Sequence, residues 1–170
     1  MAYPAQRSLT KVTGTFRSKA RPTHGGIDIA PKKRGEELDV YAVGKGVITI
    51  ADTTAQRGDT SGRDIAIKLD GDGSIWWYGH LSHVGVKVGQ RVVDGQWIGR
   101  MGTTGSTAKG NATSTGVHLH LERHYPRLNM ETNPRPYLTN EPSPETYAIN
   151  GAKPAPKPAP APVASGTYIV

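Results

Sequence analysis

Glycine turns divide this chain into short apolar runs, and no segment shows the longer apolar stripe of an amphipathic helix. There are 21 glycines in the 170 residues. Residues 64–69 alternate polar and apolar side chains, as a half-buried strand does. Residues 70–73, Asp-Gly-Asp-Gly, have the chemistry of a hairpin turn. Short strands at this close spacing predict an all-β fold of antiparallel sheets with few or no helices.

The last part of the chain differs in composition from the rest. Residues 153–162 consist of proline, alanine and lysine, a composition that favours an extended spacer over a packed core. We therefore divide the chain into an N-terminal arm over residues 1–13, a globular domain over 14–140 and a Pro/Ala-rich linker over 141–166.

Cysteine is absent from the sequence, which excludes a disulfide framework and any cysteine-ligated metal. A metal would have to be held by histidine, aspartate or glutamate. No apolar run is long enough to span a bilayer, so we expect no membrane insertion. The first residues also lack the apolar core of a signal peptide, which predicts a protein made in the cytoplasm.

The charge of the chain is uneven, with a net value of +7. Residues 1–34 hold eight basic side chains and a single acidic one, Asp28. The basic residues are Arg7, Lys11, Arg17, Lys19, Arg21, Lys32, Lys33 and Arg34. A basic face suits a polyanion, but no nucleic-acid-binding motif is present, so nucleic acid is not a predicted partner. An anionic cell envelope and a merely solvated surface both remain open.

Two of the six histidines, His118 and His120, stand two residues apart. In an extended strand such residues point to the same face. His24 sits at a glycine turn, and Asp28 faces away from the core if its isoleucine neighbours face inward. A zinc hydrolase needs a few such side chains to converge while one position stays open for water. Ordinary surface histidines fit the same local pattern.

A third cluster follows an aromatic strand that ends at His80. His83, three residues later, is the rival for any role assigned to His80. Glu122 and His124 continue the parity of His120, which makes them candidate partners behind the site. For His124, a position near the surface is the first interpretation.

Taken in order, these motifs resemble the lysostaphin-type zinc endopeptidases, which cut the peptides of peptidoglycan. The resemblance spans about residues 14–138 and includes Asn133-Pro134. The principal segments are 24–28 (His-Gly-Gly-Ile-Asp), 78–82 (Tyr-Gly-His-Leu-Ser) and 118–122 (His-Leu-His-Leu-Glu), with 44–47, 88–92 and 94–99 between them.

The resemblance implies a role for each matching residue. His24, Asp28 and His120 match the family's zinc ligands, with one zinc per chain. His80 and His118 match its two catalytic histidines, and which of them is the general base stays open. The domain at 14–140 is then a lysostaphin-type peptidase domain with a zinc site in a groove.

Two departures from the family pattern concern the substrate groove. Residues 16–17, Phe-Arg, occupy the region where several members have a tyrosine that helps to hold the oxyanion. The loop over residues 102–116 is longer than usual and is predicted to form a groove wall. The predicted groove residues are Tyr78, Thr104, Ser106 and Thr115.

The sequence therefore predicts a monomeric, bacteriolytic zinc endopeptidase that acts on peptidoglycan, with anionic wall polymers as further partners of its basic surface. A phage endolysin, released from the host cytoplasm by a holin-type membrane hole, is the first interpretation, and a virion-associated lysin is the second. Residues 167–170 resemble the opening of a truncated cell-wall-binding module, or are a plain tail.

Two alternative functions are considered for the same sequence. One is a degenerate, non-catalytic peptidoglycan-binding module of the same fold, which should have lost metal ligands. The other is a lipoyl- or biotinyl-carrier domain, which would need a lysine at a hairpin tip, whereas the tip at residues 70–73 has none. The bond that is cut is not predicted: a D-Ala–diaminopimelate cross-link, a glycine-containing bridge and a bond within the stem remain candidates.

Overall fold

The computed structural model describes residues 1–55, 59–107, 109–125 and 130–138. The predicted linker at 141–166 and the segment 167–170 lie outside the described residues.

The described part of the chain consists of antiparallel strands with two short 3₁₀ turns, Arg7–Leu9 and Arg135–Tyr137, which confirms the all-β prediction. The ten strands are β1 (Thr10–Gly14), β2 (Gly26–Pro31), β3 (Asp39–Tyr41), β4 (Gly46–Asp52), β5 (Arg63–Leu69), β6 (Ile75–Val84), β7 (Arg91–Val92), β8 (Trp97–Met101), β9 (Leu119–Tyr125) and β10 (Met130–Thr132).

One sheet contains all of these strands, in the order β1-β2-β9-β6-β5-β4-β7. β10 extends it beside β9, and β8 joins β6 to β3. The hairpin predicted at residues 70–73 connects β5 to β6, where the backbone N–H of Leu69 donates to the carbonyl of Ser74 at 2.9 Å. β10 was not predicted, because three residues are too few to show an alternating pattern.

The two faces of β2, β9 and β6 have opposite characters. On one face lie buried apolar side chains, which form the core. They include Ile27, Ile29, Trp76, Tyr78, Leu119 and Leu121. The other face presents Asp28, His120 and Gly79, since successive residues of a strand point to opposite sides. The polar site therefore lies directly on the back of the core.

The segment predicted as an N-terminal arm packs against the domain. Ala2, Tyr3 and Ala5 are buried. The N–H of Ala2 donates to the carbonyl of Val43 at 3.0 Å, and the carbonyl of Pro4 accepts from Tyr41 at 2.9 Å. These residues contribute to the same core as the sheet, because their backbone and side chains are tied to the β3–β4 connection.

A search of the described residues for a helix that could cross a bilayer finds no candidate.

Candidate metal and catalytic site

Three strands that are far apart in sequence bring the predicted site together. In the register of β2 and β9, Asp28 stands opposite His120, and in that of β9 and β6, His120 stands opposite Gly79. His24 lies in the turn just before β2. Opposite residues in antiparallel strands have Cβ atoms about 5 Å apart, so the three segments present their side chains to one small volume.

The three predicted ligands meet through one atom each. Oδ1 of Asp28 lies 3.0 Å from Nε2 of His24 and 2.8 Å from Nδ1 of His120. The two imidazole nitrogens are 3.2 Å apart. Among the described residues, His24, Asp28 and His120 form the one group whose histidine and carboxylate atoms cluster closely enough to hold a metal ion.

Hydrogen bonds at the opposite ring nitrogens fix the tautomer of each histidine ligand. Nδ1 of His24 donates to the carbonyl of Thr15 at 3.1 Å, which leaves the lone pair on Nε2. Nε2 of His120 donates to Oε1 of Glu122 at 2.8 Å, which leaves the lone pair on Nδ1. Both lone pairs therefore face Asp28, an arrangement in which outer partners orient metal-binding histidines.

The electrostatics of this group favour a positive charge at its centre. Burial would raise the pKa of Asp28, but the hydrogen bonds from His120 and Arg21 hold it well below its usual range. Burial would likewise lower the pKa of His120, yet hydrogen bonds to Asp28 and Glu122 raise it to about 9. Nδ1 therefore carries a proton at pH 7 unless a cation takes its place and uses the lone pair. Two nitrogen lone pairs and a carboxylate oxygen at this separation need a proton or a cation between them.

The donor set fits zinc. Two imidazole nitrogens and one carboxylate oxygen are ligands that zinc accepts, and hydrolytic zinc sites use three protein ligands with a further position for water. The absence of cysteine from the chain is consistent with such a set.

His80 and His118 flank the cluster. Their ring centroids are 4.7 Å apart, and the ring of His80 lies 5.8 Å from that of His120. Nε2 of His118 is 3.7 Å from Oδ1 of Asp28. The structure thus brings all five predicted metal and catalytic residues into one site.

Backbone carbonyls orient these two histidines as well. Nδ1 of His80 donates to the carbonyl of Thr104 at 2.7 Å, and Nδ1 of His118 donates to that of Gly116 at 2.9 Å. Each ring therefore has its lone pair on Nε2. Burial is the main cause that lowers the pKa of His80 to about 4, so its ring is neutral at pH 7.

The conformation of His80 distinguishes it from the rival His83. His80 has a φ of 62°, in the left-handed region that few residues other than glycine adopt. Its N–H donates to the carbonyl of Ser61 at 2.7 Å, which holds this turn of the strand. His83 instead stacks on Trp97, with ring centroids 5.8 Å apart, and makes no contact with the cluster.

The structure places the four predicted groove residues in different environments. The prediction that Tyr78 lines the groove is wrong. Its side chain is fully buried, and its hydroxyl accepts a hydrogen bond from the N–H of Val43 at 3.0 Å. Gly79 lies on the face of the sheet that carries the site, so the preceding residue, Tyr78, points to the opposite face and into the core. Thr104 orients His80 and also donates to the carbonyl of Leu81. Ser106 forms a bridge with Ala112 inside the loop, and Thr115 is exposed.

Some contributors were not singled out by the sequence. Arg21 pairs with the outer oxygen of Asp28, and Ser114 lies 3.2 Å from Nδ1 of His118. Neither residue has a pattern that would mark it, since both lie in irregular segments. Glu122 was predicted through its parity with His120, and it bonds that ring directly.

The sequence matches Peptidase family M23 over residues 22–134. It is 38% identical over 102 residues to the glycyl-glycine endopeptidase ALE-1 of Staphylococcus capitis. That alignment covers 58% of this chain and 25% of the relative, so the chain spans about a quarter of the length of the curated protein it matches.

Solved structures show the same fold. The antimicrobial peptidase lysostaphin from Staphylococcus simulans superposes with a TM-score of 0.59 at 27% identity, covering 94% of this chain and 60% of that one. A zinc-containing peptidase from Vibrio cholerae gives a TM-score of 0.55 at 28% identity, covering 71% of this chain and 35% of that one. Since the family match extends over the segments that supply His24, Asp28, His80, His118 and His120, the chain belongs to peptidase family M23.

Proposed function

We propose that this protein is a zinc-dependent endopeptidase that hydrolyses peptide bonds of bacterial peptidoglycan. The observation that carries this proposal is the convergence of Nε2 of His24, Oδ1 of Asp28 and Nδ1 of His120, with both ring tautomers set for metal binding. Two further histidines stand beside this cluster with lone pairs available for a proton.

The named relatives support the choice of substrate. One is a glycyl-glycine endopeptidase and another is the antimicrobial peptidase lysostaphin. This chain spans only part of each relative. We therefore propose, by analogy with these relatives, that it cleaves peptidoglycan peptides and lyses bacteria.

When bound by His24, Asp28 and His120, zinc would acidify a water molecule and polarise the scissile carbonyl. The chain supplies the proton handling. Nε2 of His80 or of His118 accepts the proton that the attacking water loses, because Nδ1 of each ring is already bonded to a carbonyl. The protonated ring then transfers this proton to the leaving amine as the peptide bond breaks. The other ring is placed to donate a hydrogen bond to the oxyanion when it is protonated.

Fixed orientation makes these transfers effective. The carbonyls of Thr104 and Gly116 accept from Nδ1 of the two rings, which fixes the orientation of each ring and keeps its proton on Nδ1. Arg21 neutralises the outer oxygen of Asp28, so that Oδ1 stays directed at the cluster. A degenerate binding module would have no need for this complete set of oriented side chains.

Three further parts of the proposal concern context. Synthesis in a host cytoplasm with holin-type release, as an endolysin, is the preferred setting, with a virion-associated lysin as the alternative. The basic surface is proposed to attract anionic wall polymers, and the protein is proposed to act as a monomer.

The test combines metal analysis with wall digestion. Purified protein should contain one zinc per chain by elemental analysis and should release new amino termini from purified peptidoglycan. A chelator should abolish the release and added zinc should restore it. Zinc binding without release of amino termini from any wall type would reject the proposed peptidase activity. Failure to bind zinc would reject the proposed metal site and favour the degenerate module.

A further inference from the structure

A cleft of about 670 Å³ lies on the same face of the sheet as the metal cluster, beyond Glu122. Its floor comes from β6 and β9, in which Gly79 pairs with His120, Trp77 with Glu122, and Ile75 with His124. The first of these pairs lies at the metal cluster and the last lies in the cleft. One continuous row of paired residues therefore leads from one to the other.

The distance between the two places suits one substrate. His124 lies four positions beyond His120 along the strand, which is about 13 Å. An extended peptide advances about 3.4 Å per residue, so a group about four residues from the scissile bond reaches the cleft. The end of a long side chain also reaches the cleft when the residue that carries it lies closer to the scissile bond.

The walls of the cleft carry ionisable side chains. His124, which is hydrogen-bonded to Glu122, lines the cleft. Arg17 and Glu131 line it as well and form an ion pair at 3.4 Å. Their side chains remain 54% and 35% exposed. An exposed pair of this kind contributes little to stability, so a ligand that offers both charges in return can separate it at little cost.

The backbone at Arg17 is held in a strained conformation. Its φ of 40° lies in the left-handed region, and its N–H donates to the carbonyl of His24 at 3.0 Å. A residue other than glycine pays for this conformation, and such outliers concentrate at functional sites. This hydrogen bond ties the backbone of Arg17 to the backbone of His24, a predicted metal ligand.

Between the cleft and the cluster, Gly25 lets the carboxylates approach the backbone. A Cβ atom on Gly25 would lie 2.6 Å from Oε2 of Glu131 and 3.1 Å from Oε1 of Glu122. Apolar surface completes the cleft, because Trp77, Ile75 and the half-exposed Met130 line it. The lining thus combines an aliphatic and aromatic wall with a paired cation and anion.

We propose that this cleft binds the free ammonium and carboxylate at the end of a diamino-dicarboxylic acid side chain, as in diaminopimelate, within a peptidoglycan stem peptide. Arg17 receives the carboxylate, Glu131 receives the ammonium, and Trp77 with Met130 contacts the methylene chain. The inference rests on the proposed function and adds to it the class of stem that is preferred. A glycine bridge would leave both charges unused, whereas a site that pairs charged groups rejects a substrate lacking them.

The test uses two synthetic cross-linked stem peptides that differ only in one residue. One carries diaminopimelate with its free end, and the other carries lysine, which keeps the ammonium but lacks the carboxylate. The zinc-loaded protein should prefer the first by about tenfold in kcat/KM, the effect of one charge-assisted hydrogen bond. Arg17→Gln should bring this ratio close to one, while Lys19→Gln, which removes the same charge outside the cleft, should leave it unchanged.

A binding measurement separates this inference from the proposed function. Calorimetry with His118→Ala protein should show that adding Arg17→Gln or Glu131→Gln weakens binding of the diaminopimelate peptide about tenfold. Equal kcat/KM for the two peptides, with efficient hydrolysis of both, overturns the cleft assignment and leaves the proposed function standing. Binding that follows an attached saccharide and ignores the stem residue also overturns it. No hydrolysis of either peptide rejects the proposed function, and the calorimetry still decides the cleft.

Discussion

Nε2 of His120 lies 2.8 Å from Oε1 of Glu122, two residues further along the same strand. The other carboxylate oxygen of Glu122 is 2.6 Å from Nε2 of His124. Burial would raise the pKa of Glu122, but hydrogen bonds to both rings lower it to about 2, so it is ionised at pH 7. Glu122 therefore holds a proton on Nε2 of His120 and keeps Nδ1 free for a metal.

From this contact we predict that Glu122→Gln weakens zinc binding by about 10–100-fold, as loss of an outer partner does in other metal sites. The amide has no charge to orient the imidazole or to increase its basicity. Zinc affinity is measured by competition with a chromophoric chelator. The control Glu36→Gln removes the same charge at a distance from the site, and an equal loss in both variants would contradict the assigned role of Glu122.

The second prediction concerns the ligands themselves. His120→Ala removes one of the three donor atoms, which lies 2.8 Å from Oδ1 of Asp28 and 3.2 Å from Nε2 of His24. Bound zinc and hydrolysis should disappear together, as judged by elemental analysis after dialysis and by release of amino termini. Near-stoichiometric zinc in this variant would show that the metal is held elsewhere.

A third prediction separates catalysis from metal binding. His80→Ala and His118→Ala should retain zinc, since neither ring is a predicted ligand, but lose about 10²–10⁴-fold in kcat, the usual contribution of a general acid or base. The matched control is His83→Ala, whose ring stacks on Trp97 away from the cluster. If His83→Ala abolishes hydrolysis and His80→Ala does not, the assignment fails.

A fourth prediction follows from Asp64, which is buried beside Trp77. Its Oδ2 accepts from the indole N–H at 2.7 Å, while Oδ1 is buried without a hydrogen-bond partner among the described residues. Burial, with Asp59 and Asp52 nearby, raises the pKa of Asp64 to about 6. The folded state thus binds this proton more tightly than the unfolded chain, so the stability contributed by Asp64 falls as the pH rises from about 4 to about 6.

Asp64→Asn should consequently stabilise the protein by about 3 kcal/mol at pH 7 and have little effect near pH 4. Denaturant unfolding at several pH values measures the difference. Asp72→Asn is the control of opposite sign: burial would raise the pKa of Asp72, but hydrogen bonds from Ser74 and Arg123 lower it. A difference between Asp64→Asn and the parent protein that does not vary with pH would show that Asp64 is not the responsible group.

The fifth prediction tests the basic surface. Lys32, Lys33 and Arg34 are exposed after β2. Neutralising them should slow digestion of whole walls and leave cleavage of a small soluble peptide unchanged. Salt above about 0.15 M should act in the same way, because exposed charges are screened beyond about 8 Å. Wall digestion that is indifferent to both changes would mean that the charge serves solubility alone.

Part of the fold was predictable from local patterns. The hairpin at residues 70–73 and the inward side chains of Ile27 and Ile29 follow from turn chemistry and from the two-residue period of strands. The assignment of Tyr78 to the groove was wrong, because the left-handed conformation of His80 breaks the strand alternation and leaves Tyr78 on the core face. The packing of residues 2–5 was also missed, since the contacts of this segment lie about 40 residues away.

The sequence by itself determined the all-β character of the domain and the residue types available to a metal, because periodicity, turn chemistry and donor chemistry are local properties. The tertiary structure alone decided which donors meet. Strand register sets Asp28 opposite His120, and the left-handed turn at His80 brings that ring into the site in place of His83. It also formed the cleft of Arg17, Trp77 and Glu131, whose members come from distant segments. Trp77 and Glu131 are neighbours because β6, β9 and β10 pair side by side, and the connection between β1 and β2 brings Arg17 to Glu131.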